Sequence, residues 1–173
     1  GLVIRMLEEG KQVALITDAG TPAVSDPGAR AVARVQDAGF PVVPVPGASA
    51  VITALSASGL ADGHFHFHGF LPTKSAARRA SLESLRSVPG TLVFYEAPHR
   101  IAETLDDLAA VFEPARELVV ARELTKMFEQ IVRMPITEGP AWLAADPNRA
   151  RGEFVLLVSA APVAEGLSPE AER

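Results

Sequence analysis

Thr17-Asp18-Ala19-Gly20-Thr21-Pro22-Ala23-Val24-Ser25-Asp26-Pro27-Gly28 is the stretch on which the reading of this chain turns. It follows the short apolar run Val13-Ala14-Leu15-Ile16, which reads as a buried strand of an α/β sheet. The twelve residues carry two Gly, two Pro, two Asp, two Thr and one Ser, which is loop chemistry. Directly after them, residues 29–39 have helical spacing and end on Gly39, suited to close a helix. A polar, glycine-bearing loop between a strand end and a helix start is where open α/β sheets bind ligands. A well-capped turn without a ligand has the same sequence signature, so the loop alone leaves both readings open.

The pattern repeats at once. Phe40-Pro41-Val42-Val43-Pro44-Val45 reads as a second short strand, followed by Pro46-Gly47-Ala48-Ser49-Ala50 and a helix from Val51 to Ser58, with Ser49 placed to cap it. Two such turns side by side make a rim of free amides suited to a polar small molecule. Leu2, Val3, Met6 and Leu7 form a helical stripe that runs straight into the first strand. A sheet seldom begins on a buried strand without earlier neighbours, so the reading expects strands of the first domain that precede this chain.

With 173 residues, 48% apolar and 21% charged, the chain has the composition of an ordinary globular protein of one or two domains. No apolar run approaches membrane-spanning length and no signal-peptide pattern opens the sequence. The absence of cysteine excludes disulfides, thiolate zinc sites and thiol nucleophiles, and agrees with a cytoplasmic protein. A net charge of −5 argues against a protein that coats nucleic acid broadly, while leaving room for a local basic patch.

Beyond Gly63 the texture changes, and a domain boundary is placed there: residues 1–63 form the carboxyl half of an N-terminal domain, 64–161 a C-terminal α/β domain, and 162–173 a loose tail. His64-Phe65-His66-Phe67-His68 alternates strictly, and is read as an exposed His face over a Phe core face rather than as a metal site. A basic helix follows from Ser75 to Ser87. Thr91-Leu92-Val93-Phe94-Tyr95 is a strand, with a helix from Ile101 to Phe112 after it. Residues 117–122 form the next strand, residues 128–134 an antiparallel edge strand, Trp142 marks a short helix, and residues 153–159 a closing strand.

Chemistry concentrates at two strand ends. Tyr95-Glu96-Ala97-Pro98-His99-Arg100 holds a base candidate beside a cation, and Arg122-Glu123-Leu124-Thr125-Lys126 repeats the combination; ion-paired structural turns are the alternative. Between residues 64 and 100, Lys74, Arg78, Arg79, Arg86 and Arg100 face only Glu83 and Glu96. An RNA-backbone contact and a solvated helix face both explain this. The dinucleotide fingerprint and the phosphate loop are absent, and no Ser/His/Asp set stands at a telling arrangement.

Six motifs, in order, resemble one family: Asp18-Ala19-Gly20-Thr21-Pro22 with Ser25-Asp26-Pro27-Gly28; Val45-Pro46-Gly47-Ala48-Ser49-Ala50; Gly69-Phe70-Leu71-Pro72; Phe94 to Arg100; Arg122 to Lys126; and Gly152-Glu153-Phe154-Val155. The chain is similar, to about residue 160, to the ribosomal RNA small subunit methyltransferase I family, a branch of the tetrapyrrole methylase superfamily. Family members begin with a further strand and a Thr-Pro-Ile-Gly-Asn loop, not found here. Where porphyrin-precursor methylases resemble Gly-Gly-Asp-Pro, this chain has Ala19-Gly20-Thr21-Pro22.

The resemblance implies two α/β domains of the tetrapyrrole methylase type, with S-adenosylmethionine in the cleft between them. The implied reaction is methyl transfer to the ribose 2′-hydroxyl of a cytidine in the decoding region of 16S rRNA, by a cytoplasmic homodimer that needs no metal and no membrane. By position, Ala19, Gly20, Thr21, Val24, Ser49, Ala50, Glu96, Ala97, Leu124 and Thr125 would line the cofactor. Lys74, Arg78 and Arg79 are the RNA-contact candidates. Glu96, His99, Arg100, Glu123 and Lys126 are the candidates for the group that activates the hydroxyl, with no single base chosen among them. The alternatives are a small-molecule methylase acting on a tetrapyrrole precursor, and a non-catalytic cofactor-binding or assembly module. Weak or no cofactor binding is expected of residues 1–173 alone.

Overall fold

A computed structural model describes residues 1–60 and 63–162. By compactness the chain divides between Ala50 and Val51. This is earlier than the boundary expected at residue 63, because the helix that follows packs on the sheet of the second unit.

The first unit holds two helices, α1 (Leu2–Glu8) and α2 (Ala29–Asp37). Helix α2 stops where expected, with Gly39 at a φ of +80° just beyond its end. The strands expected at Val13–Ile16 and Phe40–Val45 do not form. A strand exists through its ladder, and neither segment pairs with a neighbouring strand among the described residues. Their side chains are correspondingly open, with Ile16 84% and Val45 82% exposed.

The second unit is a three-layer α/β/α arrangement. Helix α3 (Ala50–Ser58) precedes strand β1 (Phe65–Phe70), helix α4 (Ser75–Leu85), strand β2 (Thr91–Glu96) and helix α5 (Ile101–Val111). Strands β3 (Glu117–Arg122) and β4 (Gln130–Pro135), helix α6 (Gly139–Ala144) and strand β5 (Phe154–Val158) complete it, with one-turn 3-10 helices before and after α6. The five strands lie in the order β1-β2-β5-β3-β4. Strand β1 is parallel to β2, while β5 inserts antiparallel between β2 and β3, and β4 is antiparallel to β3 at the edge.

Alternation along the strands sorts the core into two faces. Leu92, Phe94, Leu118, Val120, Leu156 and Val158 meet α4, α5 and α6 through Leu82, Leu85, Ile101, Leu105, Leu108 and Leu143. The intervening Val93, Val119, Ala121, Val155 and Leu157 meet Val51, Ala54 and Leu55 of α3. Residues Ile101, Leu105 and Leu108 stand at helical spacing on α5, so one stripe of that helix is apolar. Full burial of such a side chain contributes about 1.5–3 kcal/mol.

Strand β1 departs from simple alternation. Its register with β2 runs Phe67 to Val93 and then Gly69 to Phe94, so His68 is an extra residue. Gly69, at a φ of +83°, carries this bulge. The expected exposed His face is therefore corrected. His66 and His68 are half-buried, with His68 5.8 Å from the Phe94 ring and its Nε2 3.5 Å from the Ser81 hydroxyl of α4. Burial, reinforced by the neighbouring His66, lowers the His68 pKa. The Phe face is not core throughout either: Phe65 is 46% exposed and Phe70 53%. Among the described residues no group of three or more His, Cys, Asp or Glu is arranged to hold a metal ion, and no helix is long and apolar enough to cross a membrane. The tail expected at 162–173 lies outside the described residues except for Pro162.

Candidate functional site

Because β5 runs against both β2 and β3, the carboxyl ends of β1, β2 and β3 share one edge of the sheet with the amino end of β5. Glu96 and Arg122 both pair with Phe154, so the two chemistry-bearing turns flank the start of β5. Open α/β sheets generally bind their ligands outside the carboxyl ends of their strands, the position of this rim.

The turn after β2 is fastened from inside. Glu96 is buried, and one carboxylate oxygen accepts from the Ala97 amide at 2.8 Å and from Arg100 Nε at 2.9 Å. Its other oxygen accepts from the Thr104 hydroxyl at 2.7 Å. Both oxygens are thus committed to holding the strand end against α5. Arg100 is committed as well: its remaining nitrogens donate to the Leu71 carbonyl at 3.0 Å and the Thr73 hydroxyl at 3.3 Å. Among the five activation candidates, His99 differs. It is exposed, and no hydrogen bond or ion pair to it occurs among the described residues.

In the turn after β3, Glu123 and Thr125 have φ values of +52° and +65°, conformations that non-glycine residues adopt only when their surroundings hold them. Four contacts do so. The Glu123 carboxylate accepts from the Glu153 amide at 2.9 Å, Lys126 Nζ reaches Glu153 at 2.8 Å and Glu123 at 3.3 Å, and the Thr125 amide donates to Glu129 at 2.6 Å. Gly152, at a φ of +94°, leaves the space that the Glu123 side chain fills. The Glu153 amide, aided by Lys126, lowers the Glu123 pKa, while Glu153 and then Glu123 raise that of Lys126. Glu123 and Lys126 are therefore a locked ion pair, a poor source of a neutral-pH base.

The RNA-contact candidates separate. Arg78 is fully buried, with Nε 2.6 Å from Asp107, NH2 3.1 Å from Glu103, and NH1 3.0 Å from the Thr73 carbonyl. A side chain so enclosed cannot reach a phosphate, which corrects its expected role. Arg79 is half-exposed and shares Asp107 at 2.5 Å. Lys74 is exposed and has no ion pair among the described residues.

Within the first unit, the two expected cofactor loops are adjacent. The Thr21 hydroxyl donates to the Ala48 carbonyl at 3.0 Å, and the same carbonyl lies 3.4 Å from where a Gly20 Cβ would stand. An Asp at position 21 would present only acceptors to that carbonyl when ionised. The Thr17 hydroxyl donates to Asp26 at 3.1 Å, and Ala23 and Ser25 take positive φ. Ala19, Gly20, Thr21, Val24 and Ala50 are exposed and Ser49 is half-buried. Small side chains and open main chain fit a zwitterionic nucleoside ligand. In the second unit, Ala97 is half-buried, Leu124 packs, as Tyr95 does, against the core on the α3 face, and Thr125 is exposed. The Glu96 side chain is not available to a ligand; only its main chain is.

Sequence reasoning missed Thr104 and Asp107, which hold Glu96 and Arg78. Both lie on α5 with spacing that reads only as helix surface, so no local signal marked them. Phe70 was quoted within a motif but given no role, since nothing in the alternation announced the bulge.

Comparison with known proteins adds the relationships. The family profile described as Tetrapyrrole (Corrin/Porphyrin) Methylases matches residues 2–139. The chain is 51% identical over 166 residues to the Pseudomonas aeruginosa protein named Ribosomal RNA small subunit methyltransferase I, covering 96% of this chain and 59% of that protein. It is 47% identical to the Haemophilus influenzae protein of the same name, covering 98% of this chain and 61% of that one. The chain thus spans about three fifths of the length of these relatives. Among solved structures, the methyltransferase CobJ matches with a TM-score of 0.67 at 22% identity, over 92% of this chain and 69% of that one. Uroporphyrin-III C-methyl transferase from Thermus thermophilus, complexed with S-adenyl homocysteine, matches with a TM-score of 0.54 at 21% identity, over 81% and 62%. At such identities the structural likeness concerns the fold, which is that of the mixed α/β tetrapyrrole methylases.

Proposed function

This chain belongs to the tetrapyrrole (corrin/porphyrin) methylase family, and we propose that its activity is methyl transfer from S-adenosylmethionine to the ribose 2′-hydroxyl of a cytidine in the decoding region of 16S rRNA. The observation that carries this reading is a split in likeness. Relatives named for the small-subunit ribosomal RNA are about half identical across nearly the whole chain, whereas the uroporphyrin-III C-methyl transferase above shares the fold at 21% identity. Thr21 supports the same branch, because its hydroxyl donates where an Asp would only accept.

S-Adenosylmethionine, when bound, supplies a methyl carbon activated by the adjoining sulfonium. The residues proposed to hold it are Ala19, Gly20, Thr21, Val24, Ser49, Ala50, Ala97, Leu124, Thr125 and the Glu96 main chain. Aligning hydroxyl, methyl carbon and sulfur accounts for much of such catalysis. The proton is assigned to His99, the candidate whose ring is not engaged elsewhere: its imidazole takes it from the ribose hydroxyl and passes it to solvent. Glu96 and Arg100 position the turn that carries His99, and the Glu123–Lys126 pair shapes the opposite turn. A cytoplasmic homodimer acting on the small ribosomal subunit is part of the proposal.

Mass mapping of ribose methylation in 16S rRNA from cells with and without the gene tests the activity. A single cytidine methyl present only with the gene is expected, and rRNA unchanged by deletion overturns the proposal. With the full-length enzyme, His99→Ala is expected to slow single-turnover methylation by about 10²–10⁴-fold. An unchanged rate removes His99 from the proton transfer.

A further inference from the structure

The bulge in β1 has a chemical consequence at the rim. By inserting His68 as an extra residue, it returns Phe70 to the sheet face that carries Phe67, Val93 and Tyr95. The Tyr95 ring is met edge-on by both phenylalanines, with centroids 4.9 Å from Phe67 and 5.8 Å from Phe70. Phe67 is half-buried against the core on that face, but Phe70 keeps 53% of its surface in solvent. The last ring of the cluster is therefore supported by Tyr95, which Phe67 backs in turn, and keeps about half of its surface open.

The loop that follows is held unusually well for its exposure. Arg100 donates to the Leu71 carbonyl and the Thr73 hydroxyl, and the buried Arg78 donates to the Thr73 carbonyl at 3.0 Å and to that of Pro72 at 3.4 Å. Two guanidinium groups thus clamp residues 71–73. At the far end of this clamped segment stands Lys74, exposed and without an ion pair among the described residues. An open aromatic ring and an open cation are presented four positions apart on a rigid connector. Rigid presentation matters because ordering a loop on binding otherwise costs affinity.

We propose that Phe70, backed by Tyr95, is a stacking platform for a base of single-stranded RNA, and that Lys74 takes the adjoining phosphate. The ring fits because every base offers a π-face and sequence-specific RNA recognition uses unstacked, splayed-out bases. The cation fits because phosphate contacts orient the strand while stacking holds the base. Arg78 and Arg100 act here as positioning residues that fix the spacing of the two. The turn after β3 also exposes an aromatic ring, Phe128, at 69%, but the cation beside it, Lys126, is paired with Glu123 and Glu153. This inference rests on the rRNA reading above and adds the residues that grip the strand.

The test uses the full-length enzyme, small ribosomal subunits lacking the methyl group, and separately a labelled eight-nucleotide oligocytidine. Phe70→Ala is expected to raise KM for the subunits and weaken oligocytidine binding by about 5–150-fold, the range of one stacked base. S-Adenosylmethionine affinity stays unchanged, and Phe70→Trp restores binding. Lys74→Gln is expected to lower the slope of log affinity against log salt by about 0.7. Four results overturn the platform: an unchanged KM in Phe70→Ala, weakened cofactor affinity, failure of Phe70→Trp to rescue, or a lower melting temperature showing that the ring packs within the protein. Failure of the rRNA reading shows itself differently, as a wild-type enzyme that does not methylate subunits. In that event the oligocytidine measurements still decide the platform.

Discussion

Between Gly1 and Ala50 no residue is buried, whereas the sheet of the second unit encloses Leu92, Val93, Phe94 and Leu156 completely. Yet the two regions are written alike, as short apolar runs, polar turns and amphipathic helices. Val13-Ala14-Leu15-Ile16 and Leu118-Val119-Val120-Ala121 are nearly interchangeable as strings. One is open irregular chain; the other pairs with β4 and β5 and is fully covered on both faces. The difference lies in what stands beside each run, because a strand acquires its hydrogen bonds and its burial from neighbours. The functional consequence is parallel. The first unit offers open main chain and small side chains, suited to a ligand's polar groups, and the second offers a rim fastened by buried ion pairs.

Hydrogen exchange should show the largest contrast. Amides of Leu156 and Leu157 are expected to exchange on the order of a thousandfold or more slowly than those of Val13–Ile16. Equal protection in the two segments would break the comparison. Breaking a buried ion pair comes next. Asp107→Ala leaves the enclosed Arg78 with only the exposed Glu103 as counter-charge and is expected to cost about 3 kcal/mol in chemical denaturation. Core truncation follows, with Leu156→Ala costing about 2–5 kcal/mol against a change within about 0.5 kcal/mol for Val45→Ala. A Val45→Ala cost as large as that of Leu156→Ala would mean that the first unit is covered in solution.

Smaller effects sharpen the picture. Thr21→Val removes the hydroxyl bonded to Ala48 and is expected to cost about 0.5–1.5 kcal/mol while loosening the two loops proposed to hold the cofactor. Cofactor titration of the full-length variant should show weaker binding. Glu113 lies between Arg86 and Arg116. Its own backbone amide, aided by those two cations, lowers its pKa from 4.5 to about 2. A carboxyl depressed in the folded state stabilises above its unfolded pKa, and that contribution is lost as pH falls toward about 2. Glu113→Gln should therefore shrink the drop in urea midpoint between about pH 6 and about pH 3, and an unaltered drop would remove this pair from the acid sensitivity of the second unit.

Much of the second unit was legible beforehand. Strands at 91–96 and 117–122, the antiparallel edge strand ending near Met134, and the helix from Ile101 all match, since each pairs strong periodicity with clear turn residues. Position also located the chemistry-bearing turns after β2 and β3 at one rim. The division of labour within them was not legible. Glu96 looked like a base until its two oxygens were found on Ala97, Arg100 and Thr104, and Arg78 looked like a phosphate contact until Asp107 enclosed it. Both partnerships join residues far apart along the chain or on different elements, and single-residue chemistry carries no mark of them.

By itself, then, the sequence determined the alternation of apolar and polar positions, the turn residues, the lack of thiol chemistry and an ordered set of motifs that points to one family. These are local properties, set by side-chain type and spacing. Tertiary structure decided which apolar runs became strands, which charges were consumed in holding the rim, and which remained to meet a ligand. It also decided that Phe70 joins the face of Phe67 and Tyr95, because one bulged residue at His68 reverses the face of everything after it. Burial and pairing are properties of neighbours, and neighbours are assigned only when the chain folds.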